Sequence, residues 1–385
     1  MKKTSLFQTT PRILMGVGSL DQAPSEVGRL KARKILVVTD PGLVASGIVG
    51  RLEEILARAG LSSNRFDAVE PDPSIETALR AAESARGAGA DLIVGLGGGS
   101  ALDVAKVAAV LATQSTPIEK MFGIDQVPEE GLNTLLIPTT AGTGSEVTPI
   151  AILSDHRDKL KKGIVSPRLL PKAAILDPGL TVGLPPAVTA ATGMDALIHA
   201  LEAYTSRNAT PLSDLLAEQA MRRIYGSLRK AFADGDDLAA RANMLEGSLL
   251  AGMAFANAGV TAVHAFAYPI GAEFHIPHGI ANSIMLPAVL EFNLMGNLEK
   301  FGHIAEIFGE PVGDANARER ARRALRAIQE LMEDLQVPRR LRDFGVTEEH
   351  LPALAAGVMN VTRLLANNPR RITLADAESI YRKAL

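Results

Sequence analysis

The chain has 385 residues, of which 47% are hydrophobic and 22% charged, so it can bury a large core and is longer than most single domains. Its 40 Lys and Arg against 43 Asp and Glu give a formal net charge of -3, which excludes the broad basic surface that a nucleic-acid-binding protein needs. The absence of cysteine excludes disulfides, thiolate nucleophiles and sulfur-ligated metals, and is compatible with a cytoplasmic location.

The N-terminal residues 1–11 contain no apolar run of signal-peptide length, so we expect no export. The following apolar segment, within residues 7–17, is strand-like and is expected either to pair across subunits or to join its own sheet. The long stretch without a charged residue, 247–272, carries Asn257, His264 and Pro269. Those polar and helix-breaking residues favour a buried helix pair over a membrane span.

From Lys34 onward, short apolar runs alternate with longer Ala-, Leu-, Glu- and Arg-rich segments, which is the pattern of strands and helices in an α/β sheet. Gly60 is expected to end the first helix, Ser74 to cap the second, and Gly87 with Gly89 to end the second. The predicted strands are 34–39, 91–96 and 134–138, and the predicted helices are 43–59, 74–86 and 101–113.

After Leu184, strand-like runs become scarce and long helical segments dominate, over 186–204, 213–232 and 238–255. The Pro- and Gly-rich stretch 177–186 is typical of a domain boundary. We therefore predict an α/β domain with a parallel sheet over 1–183 and an all-helical domain over 184–385. The cleft between two such domains is the expected active site.

A glycine-rich segment, Gly95-Leu-Gly-Gly-Gly-Ser100, lies between a predicted strand and a predicted helix, where free N–H groups and the helix dipole favour an anion. Consecutive glycines let a pyrophosphate approach the backbone, and Ser100 is expected both to cap the helix and to contact phosphate. Asp103 falls in the first helical turn, where a carboxylate is favoured. The glycine spacing matches neither the Rossmann nor the Walker A pattern. The alternative is a tight turn without a ligand.

Two more segments belong with this loop. Pro138-Thr-Thr-Ala-Gly-Thr-Gly-Ser145 concentrates hydroxyls and glycines after a predicted strand, a composition suited to phosphate oxygens or a nicotinamide carboxamide. Asp40 ends the first strand, where a carboxylate accepts hydrogen bonds from an adenosine ribose and repels a 2′-phosphate. In that role Asp40 makes NAD the preferred cofactor over NADP; the alternative is a turn residue before Pro41-Gly42.

Histidines cluster in an otherwise apolar part of the helical half. Asp195 and His199 are four residues apart in a predicted helix, so both point from one face. His264 and His278 are candidates to complete a site of three imidazoles and one carboxylate, with His275 a weaker candidate. Such a set leaves a divalent ion with net positive charge, as a Lewis acid acting on an alcohol or carbonyl oxygen requires. The candidate ions are Fe(II), Zn(II), Co(II), Ni(II) and Mn(II), and the ligand types do not choose among them. The alternative for each residue is a surface pair or a hydrogen-bonded core histidine.

At these residues the sequence resembles the iron-dependent, group III alcohol dehydrogenase family, in the superfamily of glycerol dehydrogenase and dehydroquinate synthase, over nearly the whole chain. The motifs that carry the resemblance are 97–103, 138–146, 177–178, 193–202, and His264 with 277–279. The resemblance implies a dehydroquinate synthase-like fold, with Asp195, His199, His264 and His278 on a divalent metal, Fe(II) or Zn(II). It places the following residues around NAD: Asp40, Gly97, Gly98, Gly99, Ser100, Asp103, Thr139, Thr140, Thr143, Ser145, Lys161 and Leu180, with Lys162 as the alternative to Lys161.

The chain departs from the family pattern at Tyr268. Many alcohol-active members carry a histidine four residues after the ligand that matches His264. Because a tyrosine of pKa about 10 is a poorer proton carrier at neutral pH than a histidine of about 6.5, the proton path or substrate range is expected to differ. Tyr268 is a candidate proton relay. The intact ligand set argues against the metal-free maleylacetate reductase branch.

The resemblance implies reversible hydride transfer between NAD(H) and a small alcohol/aldehyde pair, by a cytoplasmic homodimer or larger homo-oligomer that binds neither membrane nor nucleic acid. Two other reactions stay open: a 4-hydroxybutyrate-type hydroxyacid-oxoacid dehydrogenase or transhydrogenase, and a non-redox lyase of the dehydroquinate synthase type. The lyase needs basic groups for a phosphorylated substrate, and residues 264–278 contain no Lys or Arg.

Overall fold

The computed structural model describes residues 4–157 and 160–385, which form two compact units. One unit is Gln8–Gly183, and the other is Leu184–Leu385 together with residues 4–7. The first unit contains a parallel sheet with helices, and the second is helical. The predicted fold class, an α/β unit with a parallel sheet and an all-helical unit, is confirmed.

Among its described residues, the first unit has nine short strands and five α-helices. Its strands are β1 (Ile13–Met15), β2 (Lys34–Val38), β3 (Ser62–Phe66), β4 (Leu92–Gly97), β5 (Gly123–Ile124), β6 (Asn133–Pro138), β7 (Ile150–Asp155), β8 (Leu160–Val165) and β9 (Ala173–Leu176). Its helices are α1 (Ala23–Arg29), α2 (Pro41–Ala45), α3 (Ile48–Arg58), α4 (Ile75–Ala88) and α5 (Gly99–Thr113).

Six strands form a wholly parallel sheet in the order β1-β9-β6-β4-β2-β3, and β5-β8-β7 form a second, smaller sheet. Both faces of the large sheet are buried. Along β2, Leu36 and Val38 pack into one apolar cluster with α4 and α5, while Ile35 and Val37 pack into another with α1 and α3. This alternation explains why the strand reads as a continuous apolar run.

The helices of the first unit differ from the sequence predictions at glycines. The predicted helix 43–59 is two helices, because Gly47 adopts a left-handed conformation with φ 82° and breaks the chain between α2 and α3. Gly87 lies inside α4, which ends at Gly89 with φ 58°. The segment 7–17 joins its own sheet, since β1 pairs in parallel with β9.

The second unit contains ten α-helices among the described residues. They are α6 (Pro186–Thr205), α7 (Pro211–Ala233), α8 (Leu238–Ala258), α9 (Ala262–Phe274), α10 (His278–Asn293), α11 (Leu298–Ile307), α12 (Ala317–Asp334), α13 (Leu351–Met359), α14 (Thr362–Asn367) and α15 (Leu374–Ala384). Within 4–157 and 160–385, no single helix is long and apolar enough to cross a membrane. The pair α8 and α9 passes by length and composition only when taken together, and it is bent by 101°. More than half of the residues of each of these two helices are buried.

Candidate metal and cofactor sites

Three predicted metal ligands converge inside the helical unit. Pro186 begins α6 at a position suited to proline, and the helix then carries Asp195 and His199 one turn apart on a buried face. His264 lies near the start of α9 and is 3% exposed. One potential ligand atom from each of Asp195, His199 and His264 lies within 4.8 Å of the others. This is the spacing that a single ion needs.

The individual distances centre on the carboxylate of Asp195. Its Oδ1 is 3.7 Å from His264 Nε2 and 3.8 Å from His278 Nε2, and its Oδ2 is 3.9 Å from His199 Nδ1. The ring of His199 stacks against His264 and Phe255, with centroid separations of 4.7 and 4.3 Å. Helix packing therefore fixes the planes of two imidazoles.

His278 reaches the same carboxylate from the first residue of α10. Its side chain is 31% exposed, so it is the most accessible of the four predicted ligands. The Tyr268 ring lies 6.3 Å from its ring, centroid to centroid, which puts the candidate proton relay beside the cluster. His275 is exposed and ends α9 in a left-handed conformation, and it does not belong to the group of converging ligand atoms.

The hydrogen bonding of His264 tests whether these residues fit a metal. Its Nδ1 is hydrogen-bonded to Glu202 Oε2, while its Nε2 is buried without a hydrogen-bond partner among the described residues. A buried polar atom left unpaired is costly and uncommon. Because Nε2 faces Asp195 beside a second imidazole, a divalent ion would satisfy that nitrogen, and the donor set fits one.

The charges inside the cluster are coupled. Burial raises the pKa of Asp195, but the three histidines and a hydrogen bond from Asn282 more than offset this and hold it below its usual range. Burial lowers the pKa of His264, while the charge and hydrogen bond of Glu202 outweigh it, so the pKa of His264 is raised. The lowered pKa of Asp195 favours its ionised form, as a ligand to a cation requires.

Two residues that the sequence reasoning missed contact the predicted ligands. Glu202, on α6, contacts His264 as described above. Asn282 Nδ2, one turn after His278 on α10, donates to Asp195 Oδ1 at 2.8 Å and lies 3.1 Å from His278 Nε2. The sequence did contain a signal for Glu202, because Asp195 and Glu202 are the only charged residues of helix α6. Helical spacing from His278 was the only signal for Asn282.

The glycine-rich loop of the first unit connects β4 to the N-terminus of α5. Gly98 is the N-cap residue and provides no side-chain cap, so the predicted capping role of Ser100 is wrong: Ser100 lies within the first turn. The helix consequently begins with N–H groups that no side chain caps, which suits a phosphate. Gly97 has φ 155°, and a Cβ there would lie 2.7 Å from Ala101 Cβ.

The hydroxyl-rich loop lies against this turn. Thr139 N donates to Gly97 O at 3.0 Å, and a Cβ on Gly99 would lie 2.6 Å from Thr143 Cγ2. Thr139 is buried, while Thr140 and Thr143 are half-buried. The two segments that the sequence assigned to cofactor phosphates therefore form one surface of the first unit.

Asp103 acts within the protein. One carboxylate oxygen accepts from Ser145 Oγ, and the other accepts from Ile152 N at 2.8 Å. The buried Lys106 ammonium lies 3.1 Å from Asp103 and donates to Ser145 O. Asp103 and Ser145 therefore hold the hydroxyl-rich loop on α5.

The remaining predicted cofactor residues, Asp40, Lys161 and Leu180, differ in their contacts and burial. Asp40 Oδ1 accepts from Leu43 N at 3.0 Å and caps α2, and its Oδ2 lies 3.5 Å from where a Cβ on Gly97 would stand. It is thus both a cap and a neighbour of the glycine-rich loop. Lys161 forms an ion pair of 2.6 Å with Asp72, and Leu180 is buried in the core of the sheet.

Known proteins share both units. The family model described as "Fe-containing alcohol dehydrogenase family, C-terminal" matches residues 189–385, and that described as "Iron-containing alcohol dehydrogenase" matches residues 10–178. Long-chain-alcohol dehydrogenase 1 of Geobacillus thermodenitrificans is 44% identical over 376 residues, covering 96% of this chain and 94% of the relative.

Solved structures agree with these matches. A 1,3-propanediol oxidoreductase superposes with a TM-score of 0.97 at 38% identity, over the whole of both chains. The sulfoacetaldehyde reductase of Bifidobacterium kashiwanohense, solved in complex with NAD+, superposes with a TM-score of 0.89 at 29% identity, over 99% of this chain and 98% of that chain.

Proposed function

Because this chain belongs to the iron-containing alcohol dehydrogenase family, we propose that it is a metal-dependent oxidoreductase that transfers a hydride between NAD(H) and a small alcohol/aldehyde pair. The observation that carries the proposal is the buried group of Asp195, His199 and His264 with an unpaired imidazole nitrogen, on a chain that also has a phosphate-type loop. Residues 1–183 bind the dinucleotide, and residues 184–385 bind the metal and the substrate.

Separate groups of residues bind the metal and the dinucleotide. Asp195, His199, His264 and His278 hold the divalent ion, and the first turn of α5 with Thr139, Thr140 and Thr143 binds the dinucleotide. A bound ion supplies Lewis acidity toward the substrate oxygen, and NAD(H) takes up or supplies the hydride. Gly97, Gly98, Gly99 and Ser100 approach the pyrophosphate, and Asp103 with Ser145 holds the hydroxyl-rich loop in place.

Three further assignments refine the cofactor site. Asp40 accepts hydrogen bonds from the adenosine ribose and disfavours a 2′-phosphate. Lys161 and Leu180 border the nucleotide. Tyr268 passes the alcohol proton toward solvent, an assignment supported by its position beside the half-buried His278.

We propose Fe(II) as the working metal, because the family models that match this chain are described as iron-containing, with Zn(II) as the second choice. The nitrogen and oxygen ligand atoms suit both ions. The names of the relatives point to long-chain alcohols, 1,3-propanediol and sulfoacetaldehyde as their substrates. Small primary alcohols and aldehydes are therefore the first substrates to test, with sulfoacetaldehyde and a long-chain alcohol included in the panel.

We also propose that the enzyme is a cytoplasmic homodimer or larger homo-oligomer. Support comes from β1, an edge strand of the large sheet, where Met15 is 46% and the nearby Val17 64% exposed. Light scattering coupled to gel filtration measures the assembly. A mass of about 40.6 kDa would contradict it.

Alanine substitution of His264 tests the main proposal. We expect turnover of NADH with short aldehydes to be lost, because the ion loses a ligand, while NADH binding measured by fluorescence persists. His275→Ala is the matched control, since that histidine lies outside the cluster and is exposed. Full activity in the His264 variant would remove the metal assignment, and loss of NADH binding would show that the variant had misfolded.

A further inference from the structure

The carboxylate of Glu202 is 1% exposed and accepts three hydrogen bonds. Its Oε1 accepts from Thr261 Oγ1 at 2.6 Å and from Val263 N at 2.7 Å, and its Oε2 is bonded to His264 Nδ1. The roles assigned above to the metal and cofactor residues do not account for an ionisable side chain at this buried position. A buried charge is costly unless it is fully hydrogen-bonded, and this one is.

Helical spacing places Glu202 on the ligand face of α6. Glu202 follows Asp195 by seven residues and His199 by three, so the three side chains share one stripe of the helix. One helix thus carries two metal ligands and the group that contacts a third ligand from another helix. The hydrogen bonds of Glu202 to the start of α9 therefore fix both the position of α9 along α6 and the orientation of the His264 ring.

Glu202 also replaces the N-cap of α9. Thr261 is the N-cap residue, yet its hydroxyl makes no side-chain cap and donates to Glu202 instead. The carboxylate also accepts a hydrogen bond from the N–H of Val263, one of the backbone donors that the first turn of a helix leaves unsatisfied. The backbone and the imidazole of the same turn are therefore fixed by one carboxylate.

We propose that Glu202 is a positioning residue that holds His264 in the tautomer with its proton on Nδ1 and a lone pair on Nε2, and thereby sets the affinity of the site for its metal. The inference deepens the proposed function and rests on it. The carboxylate can accept only, so Nδ1 must donate, and Nε2 is left bare toward Asp195.

Glu202→Gln is the discriminating variant, because glutamine keeps the size of the side chain but has one acceptor oxygen and one donor amide. If the amide faces Nδ1, His264 is driven to the other tautomer and Nε2 loses its lone pair. If the amide faces Thr261 and Val263, the helix cap is broken. We expect a 10- to 100-fold loss of affinity for Co(II), measured by chelator competition on metal-free protein, and a shifted visible spectrum of the Co(II) complex.

Glu26→Gln is the matched control, since Glu26 is equally buried and lies in the other unit, where it binds Arg12 and Arg29. We expect it to leave Co(II) affinity unchanged. Wild-type affinity and spectrum in Glu202→Gln would overturn the inference, and so would an equal loss in Glu26→Gln. A wild-type protein that binds no divalent metal would instead overturn the proposed function itself.

A measurement on the unaltered protein keeps the inference testable should the Glu202 variant fail to fold. Long-range ¹H–¹⁵N spectra of metal-free, histidine-labelled protein, recorded at alkaline pH so that every imidazole is neutral, report the tautomer of each ring. The His264→Ala spectrum assigns the signal. We expect the proton of His264 on Nδ1. A proton on Nε2 would overturn the inference.

Discussion

Gly279, directly after the predicted ligand His278, permits a close approach between two helices. A Cβ at this position would lie 2.4 Å from Ala191 O and 3.0 Å from Ala191 C, both backbone atoms of α6. A comfortable contact is roughly 3.5 Å, so Gly279→Ala must separate α10 from α6 by about 1 Å. A backbone carbonyl cannot turn aside as a side chain would, so the helices themselves have to move.

The expected cost follows from that displacement. Overpacking of this kind typically costs about 1–3 kcal/mol, and alanine returns about 0.5–1 kcal/mol of helix propensity. The net loss of about 0–2.5 kcal/mol should lower the melting temperature of metal-free protein, by about 2–4 °C per kcal/mol for a unit of this size. Because His278 moves with α10 while Asp195 stays on α6, turnover should fall by roughly 10²-fold.

Gly226→Ala is the matched control for this prediction. Gly226 also lies within a helix of the same unit, α7, but nothing stands within 4 Å of its Cβ position. This variant should gain about 0.5–1 kcal/mol and keep full activity. Thermal unfolding and NADH oxidation assays of the two variants decide the matter. Equal melting temperatures and equal rates would refute the reasoning that the Gly279 contact fixes the geometry of the candidate metal site.

Three further predictions address the cofactor, the proton and the pH dependence of stability. Asp40→Asn keeps the cap on α2 but removes the charge, so the preference for NADH over NADPH in kcat/KM should weaken; an unchanged ratio would remove Asp40 from the ribose. Tyr268→Phe should lower kcat by roughly 10²-fold without changing metal affinity, and a wild-type rate would exclude this hydroxyl from the proton path. Burial raises the pKa of Glu146 to about 7, so the folded state keeps a proton that the unfolded state releases, and stability is lost as pH rises from about 4.5 to 7. Glu146→Gln should therefore gain stability relative to wild type across that window, by roughly 3 kcal/mol at its upper end. A pH-independent difference between the two melting curves would contradict this.

The sequence predicted the parallel sheet because its strands are buried on both faces and read as apolar runs, as along β2. It did not predict the antiparallel pair β7 and β8, since Lys161 and Lys162 interrupt any apolar alternation in β8. The break at Gly47 was also missed. There the sequence continues at helical spacing, and only the backbone angle shows that the helix stops.

The candidate site could be anticipated where residues share one helix. Asp195 and His199 are neighbours through helical periodicity alone, so their pairing could be read from spacing. The position of His264 against them depends on how α9 packs on α6, which spacing does not encode. The internal role of Asp103 was likewise hidden, because its partners Ser145 and Ile152 come from segments more than 40 residues away.

The central claim is that a divalent ion held by the cluster around Asp195 is required for hydride transfer. The most direct test is NADH oxidation with short aldehydes by anaerobically purified protein that has been stripped with a chelator and then given Fe(II), Zn(II) or buffer. The account predicts no turnover in buffer and recovery with one of the two ions. Undiminished turnover in the stripped protein would contradict the account. An absence of turnover with both ions, despite measured binding of metal and NADH, would contradict the alcohol/aldehyde assignment. It would favour a hydroxyacid-oxoacid pair as the substrates.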